Sequence, residues 1–143
     1  MSPGRTAAAG DYELSTDLQR MDLALVHRWL STDAFWALGR SYETVTKAAC
    51  NSLNFAAFTT AGEQVAYARV VTDHTTFAWL CDVYIDRAHR GRGLGTRLAL
   101  AVVSALRPLN LKRVMLSTAD AHEVYRRAGF EAMPNPEKLM LLT

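Results

Sequence analysis

The stretch "HRGRGLGTRL", residues 89–98, places three glycines and three arginines within ten positions. It follows an apolar run that ends at Ile85 and precedes apolar residues at helical spacing. Backbone N–H groups at a helix start have no partner within the helix, and the helix dipole adds positive charge there. Glycine allows a phosphate to approach the backbone, and arginine adds formal charge. The stretch therefore predicts an anion-binding turn between a strand and a helix, well suited to a pyrophosphate.

Neither of the two familiar nucleotide-binding motifs fits this turn. A dinucleotide fingerprint requires a third glycine at the position of Thr96. A P-loop requires a lysine and then a serine or threonine after its last glycine, but Gly95 is followed by Thr96 and Arg97. The pattern that remains is R-x-x-G-x-G, formed by Arg90, Gly93 and Gly95. A tight left-handed turn with solvated arginines is the alternative interpretation.

The composition predicts one domain at residues 11–143, preceded by a poorly ordered tail at residues 1–10. The chain has 143 residues, of which 50% are hydrophobic, and a formal charge of +2. This charge gives no general reason to bind nucleic acid or a membrane, and no apolar run is long enough to span a bilayer. Cys50 and Cys81 belong to no C-x-x-C motif. We therefore expect no metal site and a reduced, cytoplasmic protein.

Periodicity predicts a single α/β domain of the mixed α+β type. Its central mixed sheet is mostly antiparallel and is flanked by helices. A strand reached through a helix is expected to pair in parallel with the strand before that helix. The predicted strands are 11–14, 54–60, 61–73, 75–86, 112–118 and 138–143, and the predicted helices are 16–31, 41–53, 94–106 and 120–130.

Two motifs, in this order, resemble the GNAT superfamily of acetyl-CoA-dependent N-acetyltransferases. "YIDRAHRGRGLGTRL", residues 84–98, is similar to its strand–loop–helix segment, and "AHEVYRRAGF", residues 121–130, to its later A-x-x-x-Y-x-x-x-G-F segment. The similarity extends over most of residues 11–143, and "STADAHEVY", residues 117–125, resembles a bacterial subgroup. The resemblance implies a GNAT fold whose sheet splays open after the strand that ends near Ile85.

The resemblance also implies acetyl-CoA as the cosubstrate. The backbone edge of one strand, at Val83, Tyr84 and Ile85, would pair with the pantetheine arm. Thr118 occupies a position where many members have an asparagine that contacts this arm. Backbone amides of one loop would hold the pyrophosphate: Arg90, Gly91, Arg92, Gly93, Leu94, Gly95 and Thr96.

Acetyl transfer from a thioester to an amine needs a proton acceptor for the amine and a proton donor for the departing thiolate. Tyr125 matches the family tyrosine near the sulfur, and its phenol can donate this proton; a purely structural tyrosine is the alternative. Asp82, in an apolar strand, is either a base with a raised pKa or a carboxylate paired with an arginine. Asp120 is a candidate N-cap of the last helix, and His122 a surface residue or proton relay.

The acceptor is expected on the side of the early helices. His27, Trp36 and Arg40 are the candidate acceptor-site residues, and an arginine there suits a small amine that also carries a carboxylate or phosphate. Phe35 is expected in the core. The predicted function is acetyl transfer from acetyl-CoA to the primary amine of a small or amino-acid-like molecule by direct attack. A protein or peptide acetyltransferase and a non-catalytic acyl-CoA sensor are alternatives, and a homodimer is implied only by the resemblance.

Overall fold

The computed structural model describes residues 11–143 and shows a five-stranded sheet with helices on both faces. The predicted tail at residues 1–10 lies outside the described residues. The strands are β1 (Glu13–Ser15), β2 (Leu53–Phe58), β3 (Gln64–Thr72), β4 (Phe77–Ile85) and β5 (Arg113–Leu116). The helices are α1 (Leu23–Asp33), α2 (Tyr42–Cys50), α3 (Leu94–Leu106) and α4 (His122–Arg127).

Local capping explains where the first helices begin. The predicted helix 16–31 is divided, because Asp17 accepts from the N–H of Gln19 and starts a short 3-10 turn, while Asp22 accepts from the N–H of Leu25 and starts α1. Ser41 caps α2 by accepting from the N–H of Thr44. Each of these side chains satisfies a backbone donor that the helix itself leaves free.

The strands lie in the order β1-β2-β3-β4-β5. The first three neighbouring pairs are antiparallel, and β4 and β5 are parallel. This confirms the predicted mixed, mostly antiparallel sheet, including the parallel pairing across the helical connection. The helices separate into two layers: α3 covers one core, and α1 with α2 covers the other.

A β-bulge in β4 changes which side chains face each core. Between the paired positions on either side, β3 has one residue, Ala68, whereas β4 has two, Asp82 and Val83. Asp82 has a φ of +50°, in the left-handed region that side-chain-bearing residues rarely adopt. The alternation therefore shifts by one residue, and Leu80 and Val83 both pack against the α3 core.

The sheet opens just before the bulge. The parallel ladder joins Phe77–Leu80 of β4 to Arg113–Leu116 of β5 and stops there, whereas β4 continues to Ile85. Within residues 11–143, no strand pairs with the β5-facing edge of β4 after Leu80. This confirms the splayed sheet that the resemblance implied, and it leaves backbone hydrogen-bonding groups of β4 facing a cleft.

The predicted strand at residues 138–143 is wrong. The chain instead forms a 3-10 turn at Pro136–Lys138, and the next residues belong to no strand. Pro134 and Pro136 cannot donate to a β-ladder, so pairing is interrupted before the apolar segment begins. Met140 is 97% exposed. Apolar character alone therefore does not specify a strand here, although the outer edge of β5 is unpaired among the described residues.

The buried face of α3 generates a stability prediction. Leu98 is 1% exposed within the core beneath β4, whereas Leu100 on the same helix is 47% exposed. Leu98→Ala should lower the free energy of unfolding by about 2–5 kcal/mol, because it removes buried methyl groups and leaves a cavity. Urea denaturation measures this loss. Leu100→Ala is the matched control, and an equal loss in both variants would contradict the described packing.

Candidate active site

Two glycines shape the loop that precedes α3. Gly91 has a φ of +78° and Gly93, the residue immediately before α3, a φ of +77°. Glycine adopts these left-handed conformations without the steric cost that a Cβ would add. Gly93 contributes no side-chain cap, so the first N–H groups of α3 remain available to an external acceptor.

Two arginine side chains of this loop contact residues outside the loop. The Arg90 Nε donates to the carbonyl oxygen of Ile85 at 2.8 Å, and its guanidinium carbon lies 5.1 Å from the centroid of the Tyr84 ring. Arg92 Nη1 donates to the Tyr12 hydroxyl at 3.3 Å. The Arg90 and Arg92 side chains therefore help to fix the loop, and the anion-binding groups that the geometry presents are chiefly backbone amides.

A carboxylate at the end of α1, which the sequence analysis missed, ties that helix to the end of β4. Asp33 accepts hydrogen bonds from Arg87 Nε at 2.9 Å and from Arg87 Nη2, and from the Tyr84 hydroxyl at 2.5 Å. These bonds, with Arg87 first and Tyr84 second, hold the pKa of Asp33 well below its usual range. No local motif marks Asp33, because its partners Tyr84, Arg87 and Arg90 all lie more than fifty positions away.

Two adjoining cavities occupy the opening between β4 and β5. The inner cavity has a volume of about 440 Å³ and lies against β4 and the end of β5, and the outer one, about 470 Å³, extends toward the glycine loop. Six residues line both: Phe35, Trp36, Val83, Asp120, Ala121 and Tyr125. The outer cavity is the one that reaches Tyr84, Ile85, Arg90 and Gly95.

Tyr125 lies on α4 where the two cavities meet. Its ring is half-buried and packs edge-on against Phe130, with the ring centroids 6.0 Å apart. Burial, and to a smaller extent the nearby Asp120 carboxylate, raises the pKa of the Tyr125 phenol. At neutral pH the phenol therefore keeps its proton and can donate it.

Asp82 is buried and fully occupied by three partners. It accepts from Trp36 Nε1 at 3.0 Å, from Arg40 Nη1 at 2.8 Å and from Arg69 Nε at 2.9 Å. Burial alone would raise its pKa, but the charge and hydrogen bond of Arg69, together with Trp36 and Arg40, outweigh burial and lower it. The expected raised pKa is wrong, and the arginine-paired alternative is the arrangement that the structure contains.

The structure brings only part of the predicted acceptor set to the cleft. Trp36 lines both cavities, but Arg40 contacts Asp82 and lines neither. His27 on α1 packs against Tyr42, with the ring centroids 5.8 Å apart, and also lines neither cavity. Phe35, expected in the core, is 68% exposed and forms part of both cavity walls. Loop residues such as these cannot be assigned to core or cleft from periodicity.

The turn between β5 and α4 is closed by Thr118. Its Oγ1 accepts from the N–H of Ala121 at 3.0 Å, and Ala121 is the N-cap residue of α4 without a side-chain cap. Asp120 is therefore not the N-cap, contrary to that expectation, and its side chain is exposed at the cleft. Thr118 lines the inner cavity and keeps a hydroxyl proton to donate.

Cys81 is half-buried in β4. Burial raises the pKa of the Cys81 thiol, which disfavours a thiolate nucleophile. Among residues 11–143, no group of three or more histidine, cysteine, aspartate or glutamate side chains is arranged to hold a metal ion. No helix in this range has the length and apolar character needed to cross a membrane.

The Asp82 cluster generates the second prediction. Asp82→Asn keeps a residue type that tolerates the left-handed backbone but leaves Arg40 and Arg69 without a counter-charge, so the free energy of unfolding should fall by about 3–5 kcal/mol. Because folding lowers the Asp82 pKa, its contribution is present above the unfolded value, about 4, and is lost as pH falls. The variant should therefore lose less stability than the wild type on acidification.

Denaturation curves measured from pH 7 down to pH 3 test this prediction. Glu123→Gln, which removes an exposed carboxylate paired with Arg126 and Arg127 on α4, is the matched control and should change stability little. Equal stability of the Asp82→Asn variant and the control would show that the buried ion pairs do not hold this region together.

Comparison with known proteins assigns the family. Residues 23–130 match the family model described as the acetyltransferase (GNAT) family. A Gibberella zeae protein named as a candidate acetyltransferase is 30% identical over 135 residues, covering 81% of this chain and 76% of its own. A Xanthomonas campestris crystal structure of a candidate GNAT acetyltransferase has 41% identity and a TM-score of 0.86, covering 92% of each chain. A Trypanosoma brucei acetyltransferase shares the fold, with a TM-score of 0.68 at 23% identity over 93% of this chain and 99% of its own. The chain belongs to the GNAT family of acetyltransferases.

Proposed function

We propose that this acetyltransferase moves the acetyl group of acetyl-CoA to the primary amine of a small molecule by direct attack. One observation carries the proposal: the open edge of β4 connects the glycine loop before α3 to a cleft that the half-buried Tyr125 lines. Membership of the GNAT family supports acetyl-CoA as the acetyl donor. The cleft supplies a place where a donor and an amine can meet.

The residues present fit a coenzyme A molecule. The left-handed conformations of Gly91 and Gly93 and the uncapped start of α3 support the proposal that the backbone amides of Arg90 through Thr96 bind the pyrophosphate. The free edge at Val83, Tyr84 and Ile85 offers backbone groups to the amide bonds of a pantetheine arm. A Cβ at Gly95 would lie 3.7 Å from Val124, an ordinary contact, so Gly95 is not needed to clear space there.

Tyr125 is proposed to donate a proton to the coenzyme sulfur as it leaves. A thioester presents a carbonyl carbon to the amine and a thiolate as leaving group. The pKa of Tyr125 is raised, so the phenol is protonated and ready to donate at neutral pH. A backbone N–H near Val83, at the bulge of β4, is proposed to stabilise the developing oxyanion. Asp82 is a positioning residue, since its hydrogen bond holds Trp36 in the cleft wall.

The size and walls of the inner cavity favour a small acceptor. Its volume of about 440 Å³ suits a small molecule. Two exposed aromatic residues, Phe35 and Trp36, line this cavity and offer apolar surface to a small acceptor. A peptide acetyltransferase and an acyl-CoA sensor remain the alternative outcomes of the activity test.

The first prediction of this proposal concerns coenzyme binding. Gly93→Val should weaken acetyl-CoA binding at least about tenfold, because valine at positive φ distorts the loop and adds bulk beside the pyrophosphate. Isothermal titration calorimetry with acetyl-CoA measures the change. Gly62→Val is the matched control, because Gly62 has a φ of +87° in the turn between β2 and β3 and lines neither cavity. Unchanged affinity in Gly93→Val would refute the loop assignment.

The second prediction concerns Tyr125. Tyr125→Phe should lower kcat by about 10²-fold or more while the acetyl-CoA Kd stays within about twofold, because only the proton donor is lost. Release of free coenzyme A thiol in the presence of a panel of small primary amines and peptides gives the rate. Equal turnover in the variant would remove the proposed acid. Wild-type protein that binds acetyl-CoA but acetylates nothing in the panel would support the sensor.

A further inference from the structure

We propose that Asp120 binds the ammonium group of the acceptor and takes its proton, so that the preferred acceptor is a cationic primary amine with an apolar or aromatic body. This inference rests on the proposed function, because it assigns the acceptor half of the same cleft. It concerns a residue that lines both cavities and has no role in the steps described above.

The local fold leaves the Asp120 carboxylate unused. The turn into α4 is closed by the Thr118 hydroxyl, and the N-cap residue is Ala121, so Asp120 does not cap the helix. Asp120 is exposed and has no hydrogen bond or ion pair with any residue from 11 to 143. Its charge nevertheless reaches Tyr125, whose pKa it helps to raise. A free carboxylate therefore lies beside the proposed proton donor.

The other carboxylates around the cleft are already neutralised. Asp82 is held by Arg40 and Arg69, and Asp33 is held by Arg87. An ammonium entering the cleft would gain little from either of them, because their negative charge is already balanced. Asp120 is therefore the carboxylate that can form a new charge-assisted hydrogen bond with an ammonium.

The inner cavity contains no basic side chain to bind an acceptor anion. Its lining includes no arginine, lysine or histidine. Arg40, which the sequence analysis had offered to a carboxylate or phosphate, is directed at Asp82. The remaining walls are largely apolar and include three aromatic residues, Phe35, Trp36 and Trp79. Aromatic faces attract cations and pack against apolar groups, so these walls suit an aryl-alkyl ammonium.

The proton balance assigns Asp120 a specific step. A cationic acceptor must lose one proton before its nitrogen lone pair can attack the thioester carbonyl carbon. Asp120 accepts that proton and, being exposed, releases it to solvent. When the new C–N bond forms and the C–S bond breaks, the nitrogen loses a second proton to solvent. Tyr125 gives its proton to the sulfur and regains one from solvent. The net products are the amide, free coenzyme A and one released proton.

Two probe amines separate recognition of charge from acetyl transfer itself. Phenethylamine is a cation at pH 7.5, whereas aniline is neutral there and needs no initial deprotonation. Asp120→Asn should raise the KM for phenethylamine by about tenfold or more, with a lower kcat, because a charge-assisted hydrogen bond is lost. Its KM for aniline and its Kd for acetyl-CoA should stay within about twofold. Asp120→Glu should recover part of the loss with phenethylamine.

The matched control is Glu123→Gln, which removes the same charge from α4 at a side chain outside both cavities. It should leave both amines unaffected, and thermal unfolding should show that Asp120→Asn folds like the wild type. Two results would overturn the inference while the proposed function stands. One is a wild type that acetylates aniline but not phenethylamine. The other is an Asp120→Asn variant that affects both amines equally or leaves both unchanged. Acetyl-CoA binding with no acetylation of either probe or of the amine and peptide panel would overturn both.

Discussion

The separation of β4 from β5 is the constraint on which the cleft depends, and it occurs beside the buried carboxylate of Asp82. At the bulge, the backbone of Asp82 adopts a left-handed conformation and its carboxylate is buried. Such a charge is tolerated only because Arg40 and Arg69 meet it at hydrogen-bonding distance. Since Arg40 belongs to the segment between α1 and α2, the same ion pairs fasten that segment over the opening.

A second charged network fixes the opposite end of the cleft. Asp33, the last residue of α1, holds Arg87 and Tyr84 where the chain leaves β4 for the glycine loop. Both networks therefore connect α1 or the segment after it to β4. The early helices position the cleft walls relative to the coenzyme loop, although they contribute few of the proposed reacting groups. Changes in either network are expected to affect acceptor binding through geometry.

Local patterns in the sequence were sufficient to predict the strand order, the apolar face of α3 and the turn formed by the glycine loop. Each of these depends on short-range periodicity or on backbone conformations that favour glycine. They failed at residues 138–143, where apolar character predicted a strand but Pro134 and Pro136 interrupt the chain just before it. They also left the state of Asp82 open, because Arg40 lies 42 positions away. An arginine and an aspartate in adjacent apolar strands, Arg69 and Asp82, were the one signal that pointed to the correct alternative.

The three aspartates that line the cleft differ in whether their carboxylates already have cationic partners. Asp33 and Asp82 have lowered pKa values because cations and hydrogen-bond donors surround them, so each resists protonation and is a poor proton acceptor. Asp120 has no such partners among residues 11–143 and stays open to the cleft. The sequence left the state of Asp82 open, offered Asp120 as a helix cap and did not single out Asp33. The fold distinguishes them by neutralising two and leaving one beside Tyr125, where an incoming ammonium can supply the missing counter-charge.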